Sequence, residues 1–357
     1  MKTSSEYQDL AMILAWPDAT IRGDEAWMMF FKRIGLVKNL NFKVGHTGIV
    51  LIERNTGRLC FYDFGRYIAP RGYGRARSED SDPKLTIKLK AQIERNHILN
   101  LPEIVRHFEE MKDAMQGVGD LYFSIVPKID FYRAKAFADQ WVRRGSYPYG
   151  AVAYNNNNCS RFIVRLLIHA SKKFHFWHPI NFPETIKASP MSNIVNSCSD
   201  GSIYKYTTSG GLQRIKMGRF TSLLFLLKKL RSNILTRYAK TLPEDITIGG
   251  MLQKDKPCHL PASAQYLGGV GEGAWFHIDP VSANRAIIHR FTQQGEHEYS
   301  VLGEMNQPVD FESSYQITYD SHFLFSHLRQ NKNIIRVKHI HILAIGETGI
   351  AARDKYA

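Results

Sequence analysis

The segment KVGHTGIVLIE, residues 43–53, is apolar on both of the faces that a β-strand presents. One face carries Val44, His46, Gly48, Val50 and Ile52, and the intervening residues Ile49 and Leu51 make the other face apolar too. Such a strand belongs inside a sheet covered on both sides, so the rest of the chain has to supply covering helices. RLCFYDF (58–64) has the same character and follows across RNTG, and the two read as a hairpin. Leu59, Phe61 and Asp63 share one of its faces. A two-residue turn at Thr56-Gly57 sets Asp63 opposite Val50, whereas a four-residue loop from Glu53 to Thr56 sets it opposite His46. Both registers are open.

The covering helices are legible nearby. GDEAWMMFFKRIG (23–35) and DFYRAKAFADQWVRRG (130–145) close on glycines, and LPEIVRHFEEMKDAMQG (101–117) opens with Pro102 in its first turn. MILAW (12–16) and DLYFSIVP (120–127) add strands, while RGYGRARSEDSDP (71–83) reads as a charged, glycine-containing loop. Residues 186–215 are rich in Ser, Asn, Thr and Gly and read as a linker, followed by a basic helix at about 219–240. From about residue 245, strand-like pieces recur between turn signals. The expected organisation is an α+β domain over 1–190, a linker with the basic helix over 191–244, and a β-rich domain over 245–357.

One cysteine stands out in this frame. In SYPYGAVAYNNNNCSRFIVRLL (146–167) four asparagines precede Cys159 just where a helical pattern begins. Asn158 or a neighbour is a good N-cap, and Phe162, Ile163, Leu166, Leu167 and Ala170 form one stripe with Cys159 on its side. Cys159 is then expected to point inward from a first helical turn. The N–H groups and positive dipole end there favour a thiolate and can hold the oxyanion of an acyl-transfer intermediate. A small buried cysteine is otherwise inert filler. His46, inside an apolar strand, needs a partner for its N–H, either a backbone carbonyl or a functional group. Asp63, a carboxylate on a buried strand, is costly unless paired, and orienting a histidine is one way to pair it.

These residues resemble a known family. YPYGAVAYNNNNCSRFIV is similar to the NlpC-type cysteine peptidases, a branch of the papain-like fold, through Tyr147, Tyr149, Gly150, Asn158, Cys159, Ser160 and Phe162. Asn158 stands where that family usually has an acidic residue. GHTGIVLI resembles the family's histidine strand but precedes the cysteine helix, an order like that of the circularly permuted members, which include relatives of lecithin–retinol acyltransferase. The resemblance covers about residues 43–170. It implies Cys159 as nucleophile, His46 as base, Asp63 as the third residue and Tyr147 as an oxyanion donor. It also implies a peptide amide as the bond attacked, without a cofactor. Thioester or lipid acyl transfer, as in the permuted relatives, and a papain-like module that binds peptide without turnover are the alternatives.

The remaining signals concern partners. A composition of 44% hydrophobic and 22% charged residues excludes a disordered chain. The longest apolar run, LLFLL (223–227), is too short to span a bilayer, no export signal is evident at the start, and the four cysteines are widely spaced. The expectation is a cytoplasmic, non-transmembrane protein with an internal substrate or a signal-independent export route. Net charge is +14, and residues 186–250 hold ten Lys/Arg against three Asp/Glu, hence +7. An anionic surface or glycan is therefore a possible partner. Sequence-specific nucleic-acid binding is not expected, since few aromatics interleave the basic residues. In the basic helix, Leu223, Leu224, Leu227 and Leu230 form a stripe expected to pack on the domain, with attachment to an anionic surface as the alternative. HFWH (175–178), Cys198, Cys258 and His259 match no zinc spacing, so no metal is expected. His339 and His341 alternate on what reads as an exposed strand face.

Overall fold

The computed structural model describes residues 7–23, 25–150, 156–172, 189–198, 201–242, 255–269 and 272–343. They divide into two compact units, one drawn from 1–65, 76–79 and 83–249, the other from 66–75, 80–82 and 250–357. The fold is mixed helix and sheet with a separate β-rich C-terminal part.

The first unit is built on an eight-stranded sheet. The strands of the sheet are β1 (Asp9–Trp16), β4 (His46–Ile52), β5 (Leu59–Gly65), β6 (Tyr73–Arg77, of which 76 and 77 fall in this unit), β9 (Leu121–Ile129), β10 (Tyr147–Pro148), β11 (Ser202–Thr207) and β12 (Gly211–Lys216). Two short pairs, β2 (Ile21–Arg22) with β3 (Asn41–Phe42) and β7 (Ile93–Glu94) with β8 (His97–Ile98), lie outside it. The order across the large sheet is β10-β6-β5-β4-β1-β9-β11-β12. Every residue of β4 and β5 is buried, as two apolar faces require.

Both covering layers are present. Helix α2 (Leu101–Glu110), which follows α1 (Ala26–Arg33), buries Leu101, Ile104, Val105 and Phe108 against the face carrying Val50, Ile52, Leu59 and Phe61. On the opposite face Phe64 packs its ring against Trp141 of α3 (Phe131–Arg144) and Phe162 of α4 (Cys159–Ala170), each centroid 6.0 Å away. Each fully buried side chain of this size stabilises the fold by roughly 1.5–3 kcal/mol.

Three segments depart from the sequence reading. The charged stretch 71–83 contains β6, and its Arg75 and Arg77 are buried rather than solvated. Within 186–215, where composition suggests a linker, Ser189 and Ser192 form a capping box on the helix Pro190–Asn196, and β11 and β12 make a hairpin that extends the sheet through β9. The basic helix Arg219–Ile234 does not pack through its leucine stripe: it buries Ser222, Leu226 and Asn233, and leaves Leu223, Leu224 and Leu227 exposed. Asn233 fixes it by donating from Nδ2 to the carbonyls of Asn39 and Asn41 at 2.9 and 2.8 Å.

The second unit is one antiparallel sheet. It comprises β13 (Gln265–Gly268), β14 (Gly273–Ser282), β15 (Arg285–Phe291), β16 (His297–Met305), β17 (Gln316–His322), β18 (Phe325–Gln330) and β19 (Asn333–Ile342). Their order is β13-β14-β15-β16-β19-β18-β17. The edge strands β13 and β17 are tied together by Gln265, which donates to Tyr315 O and accepts from Ile317 N, and by the Tyr319 hydroxyl on Gly268 O. The sheet thus curls on itself and covers its own edges. His339 is half-buried between Ser326 and the Phe323 carbonyl rather than on an open face, whereas His341 is exposed.

Candidate functional site

The site assembles where one strand begins, another ends and a helix starts. His46 is the first residue of β4, Asp63 lies two residues before the end of β5, and Cys159 opens α4. The β4–β5 register pairs Gly48 with Asp63 and Ile52 with Leu59, midway between the two registers the sequence left open and two residues from each. The reason is the loop. Glu53 N bonds Arg58 O, so the four loop residues are 54–57, and Gly57 closes them at φ +70. A side chain at Gly57 would collide with the Ala91 carbonyl at 2.2 Å. Asp63 is therefore diagonal to His46 on one face, and the two side chains bridge the offset.

They meet at a buried hydrogen bond. His46 Nε2 donates to Asp63 Oδ2 at 3.0 Å, with Asp63 wholly buried and His46 nearly so. The ring of Trp16, opposite His46 in the register, stacks beside the imidazole at 6.4 Å. Arg77 completes the arrangement. Its Nε donates to Asp63 Oδ1 at 3.1 Å and its Nη2 to Oδ2 at 2.7 Å, a two-pronged clamp on a carboxylate that sees no solvent. Sequence reading did not find Arg77. The available signal was that a buried Asp63 needs a compensating cation, and RAR at 75–77 lies within the loop-like stretch that follows its strand.

Charge follows from these contacts. Burial alone would raise the Asp63 pKa, but Arg77 and the hydrogen-bonded His46 outweigh it and hold the carboxyl down at about 2. For His46, burial works against the charged ring. The hydrogen bonds to Asp63 and to Cys159, and the charges of both, prevail and raise it to about 9. With Nε2 on Asp63, Nδ1 is the ring nitrogen left for the Cys159 sulfur.

Cys159 is held by its helix cap. Asn158, extended at φ −155, accepts from Arg161 N at 2.9 Å through its side chain and donates from Nδ2 to Gly150 O at 3.1 Å. Gly150 N bonds Asn157 O and Asn157 N bonds Pro148 O, so the chain on either side of 151–155 is pinned together; 151–155 lie outside the described residues. Cys159 is buried, its sulfur 4.0 Å from Ser160 Oγ, at a helix end whose first N–H groups lack intrahelical acceptors. Tyr147 sits on β10 with its ring edge-on to Trp141 at 4.9 Å and beneath the Arg144 guanidinium at 4.3 Å. Burial pushes the thiol of Cys60, on β5, up to about 11.

Among the described residues, no group of three or more His, Cys, Asp and Glu side chains is placed to hold a metal ion, and no helix is long and apolar enough to cross a membrane. The HFWH segment lies outside the described residues.

Comparison with known proteins adds the following. Residues 11–176 match the model of a family described as type VI secretion system effector TseH-like. Residues 264–340 match a second model, described as the DUF6695 C-terminal domain. A crystal structure of the type VI secretion system effector TseH aligns with a TM-score of 0.40 and 15% identity, over 59% of this chain and all of that one. No curated protein matches.

Proposed function

We propose that the first unit is a thiol hydrolase of the circularly permuted NlpC-type, papain-like kind, acting on an amide bond of a peptide. The observation that carries this reading is the hydrogen bond of one histidine to a buried, clamped carboxylate, with the cysteine at a helix start close enough to bear on the charge of the same ring. Asp63, fixed by Arg77, holds Nε2–H and so aims Nδ1 at the sulfur. The Cys159 thiolate attacks the carbonyl carbon, and the electron pair moves onto the oxygen. The N–H groups opening α4, with the Tyr147 hydroxyl, hold that oxyanion. Collapse breaks the C–N bond as the His46 imidazolium gives its proton to the departing amine. Water then attacks the thioester with His46 taking its proton, and breaking of the C–S bond releases the acid and restores the Cys159 thiolate beside the His46 imidazolium.

The secretion-system effector family matched by residues 11–176 supports synthesis in the cytoplasm followed by export without a cleaved signal. By resemblance to NlpC-type enzymes, the substrate is a cell-wall type of peptide. Purified protein and a Cys159→Ala variant, incubated with soluble cell-wall peptide fragments and followed by mass spectrometry, test the reading. Only the wild type should yield paired fragments that together gain one water. Turnover by Cys159→Ala equal to wild type would exclude the cysteine. Intact peptide that stays bound to the wild type would favour the binding module.

A further inference from the structure

The sequence leads one to expect the leucine stripe of Arg219–Ile234 to be inside, and it is outside. Phe220 is 70% exposed, Leu224 48% and Leu227 52%. Helix α1 is the other anomaly of the first unit. It is largely apolar, AWMMFFKR, yet none of its residues is buried, and Trp27 and Phe30 are 40% and 56% exposed. The residues that follow α1 are joined to the basic helix, since the N–H groups of Lys38 and Asn39 donate to Asn233 O. Ile34 and Leu36 are exposed on one side of that junction, and Ile234 and Leu235 on the other. Single exposed apolar residues are ordinary, but two adjoining helical elements that both turn large apolar side chains outward mark an interaction surface.

Charge chooses the occupant. Residues 211–242 carry Arg214, Lys216, Arg219, Lys228, Lys229, Arg231, Arg237 and Lys240 and no Asp or Glu, with Lys229 paired to Asp18; residues 26–43 carry Lys32, Arg33, Lys38 and Lys43 without an acid, and Glu25 just before them accepts from Trp27 Nε1. Basic residues ringing exposed leucine, methionine and aromatic side chains match a bilayer interface with anionic headgroups, where the apolar side chains enter the acyl boundary and the cations meet the phosphates. Nucleic acid would use the charge but leave the aliphatic side chains in water. We infer that α1 and the helix Arg219–Ile234 form a docking surface for an anionic lipid bilayer. The inference does not depend on the thiol chemistry.

Vesicle co-sedimentation of the full chain tests it. The probes are vesicles of phosphatidylcholine alone and of an equal mixture of phosphatidylglycerol and phosphatidylcholine. Wild type should partition onto the mixed vesicles at least about tenfold better than onto phosphatidylcholine. Raising salt to about 0.5 M should weaken that binding without abolishing it, because the apolar part is not screened. The double variant Leu224→Ser/Leu227→Ser should lose roughly tenfold or more, and Lys228→Glu/Arg237→Glu should lose the preference for phosphatidylglycerol. All four positions are exposed, and circular dichroism verifies that both variants remain folded. The inference is overturned if wild type ignores the mixed vesicles or if the leucine variant binds them undiminished. It is equally overturned if the leucine substitutions split a dimer in sedimentation, which assigns the face to a second copy. Tight DNA or RNA binding that the leucine variant retains would likewise assign the charge elsewhere.

Discussion

Two arginines of one strand, Arg75 and Arg77, each clamp a buried aspartate, and the two clamps serve different ends. Arg75 grips Asp82 with two bonds of 2.9 Å, and the Ser81 hydroxyl donates to the same carboxylate at 2.7 Å. Arg77 grips Asp63 as tightly, but there the added partner is His46, which in turn reaches Cys159. A buried arginine–aspartate pair is by itself a structural device, neutral and costly to break. What makes the Asp63 clamp a candidate for chemistry is that its third partner exchanges a proton in an accessible range, and a serine hydroxyl does not.

The largest effect should come from removing either carboxylate. Asp63→Ala and Asp82→Ala each strand a buried guanidinium, and each should destabilise its own unit by about 3–5 kcal/mol in urea unfolding. Only Asp63→Ala should also slow the alkylation of Cys159. A cost below about 1 kcal/mol for Asp63→Ala would contradict the buried clamp.

His46→Gln sharpens the contrast, because it spares both clamps. Peptide turnover should fall by about 10²–10⁴-fold while the Arg77–Asp63 bonds keep the fold. Unfolding of this variant, read by circular dichroism, would instead make His46 a packing residue.

The pH dependence separates the clamps further. His46 titrates near 9 when folded against 6.5 when free, so its contribution is complete below about pH 6.5 and disappears as pH rises through 9. Asp63 falls from 3.8 to about 2, so its contribution is present above 3.8 and lost as pH falls through 2. Wild type should therefore lose stability between pH 6.5 and 9 on the order of 2–3 kcal/mol, and His46→Gln should not. Equal alkaline losses in both proteins would remove the folded-state partner of His46.

The smallest effect should be read by NMR at the His46 ring. Asp63→Asn should lower its titration more than Cys159→Ala does, since Asp63 is the stronger of the two contacts raising it. The reverse order would put the thiolate, not the carboxylate, in charge of the imidazole.

How much of this was legible depended on how local the cause was. The start of α4 could be read because its cap is local: Asn158, Cys159 and Arg161 lie within four residues. Strands β4 and β5 could be read because alternation and its absence are visible along a single segment. Arg77 could not, because its burial depends on pairing fourteen residues back in the chain, while its surroundings, RGYGRARSEDSDP, have the composition of a solvated loop. The β4–β5 register turned on whether the loop began at Glu53 or Arg54, a choice made by the contact of Gly57 with Ala91, more than thirty residues away.

By itself the sequence determined the parts with a short-range physical cause: the doubly apolar strand, the helix that opens at Cys159, the pairing demanded of a buried His46 and Asp63, and a second β-rich region. The tertiary structure alone decided which groups answer those demands. It placed Arg77 on Asp63, set Asp63 opposite Gly48, and folded a Ser/Asn-rich stretch into the sheet as β11 and β12. It also turned the leucine stripe of the basic helix outward, because the helix is fastened through Ser222, Leu226 and Asn233 instead. An amphipathic pattern states that a face is apolar; whether that face finds a partner within the same chain depends on side-chain hydrogen bonds made to carbonyls nearly two hundred positions distant.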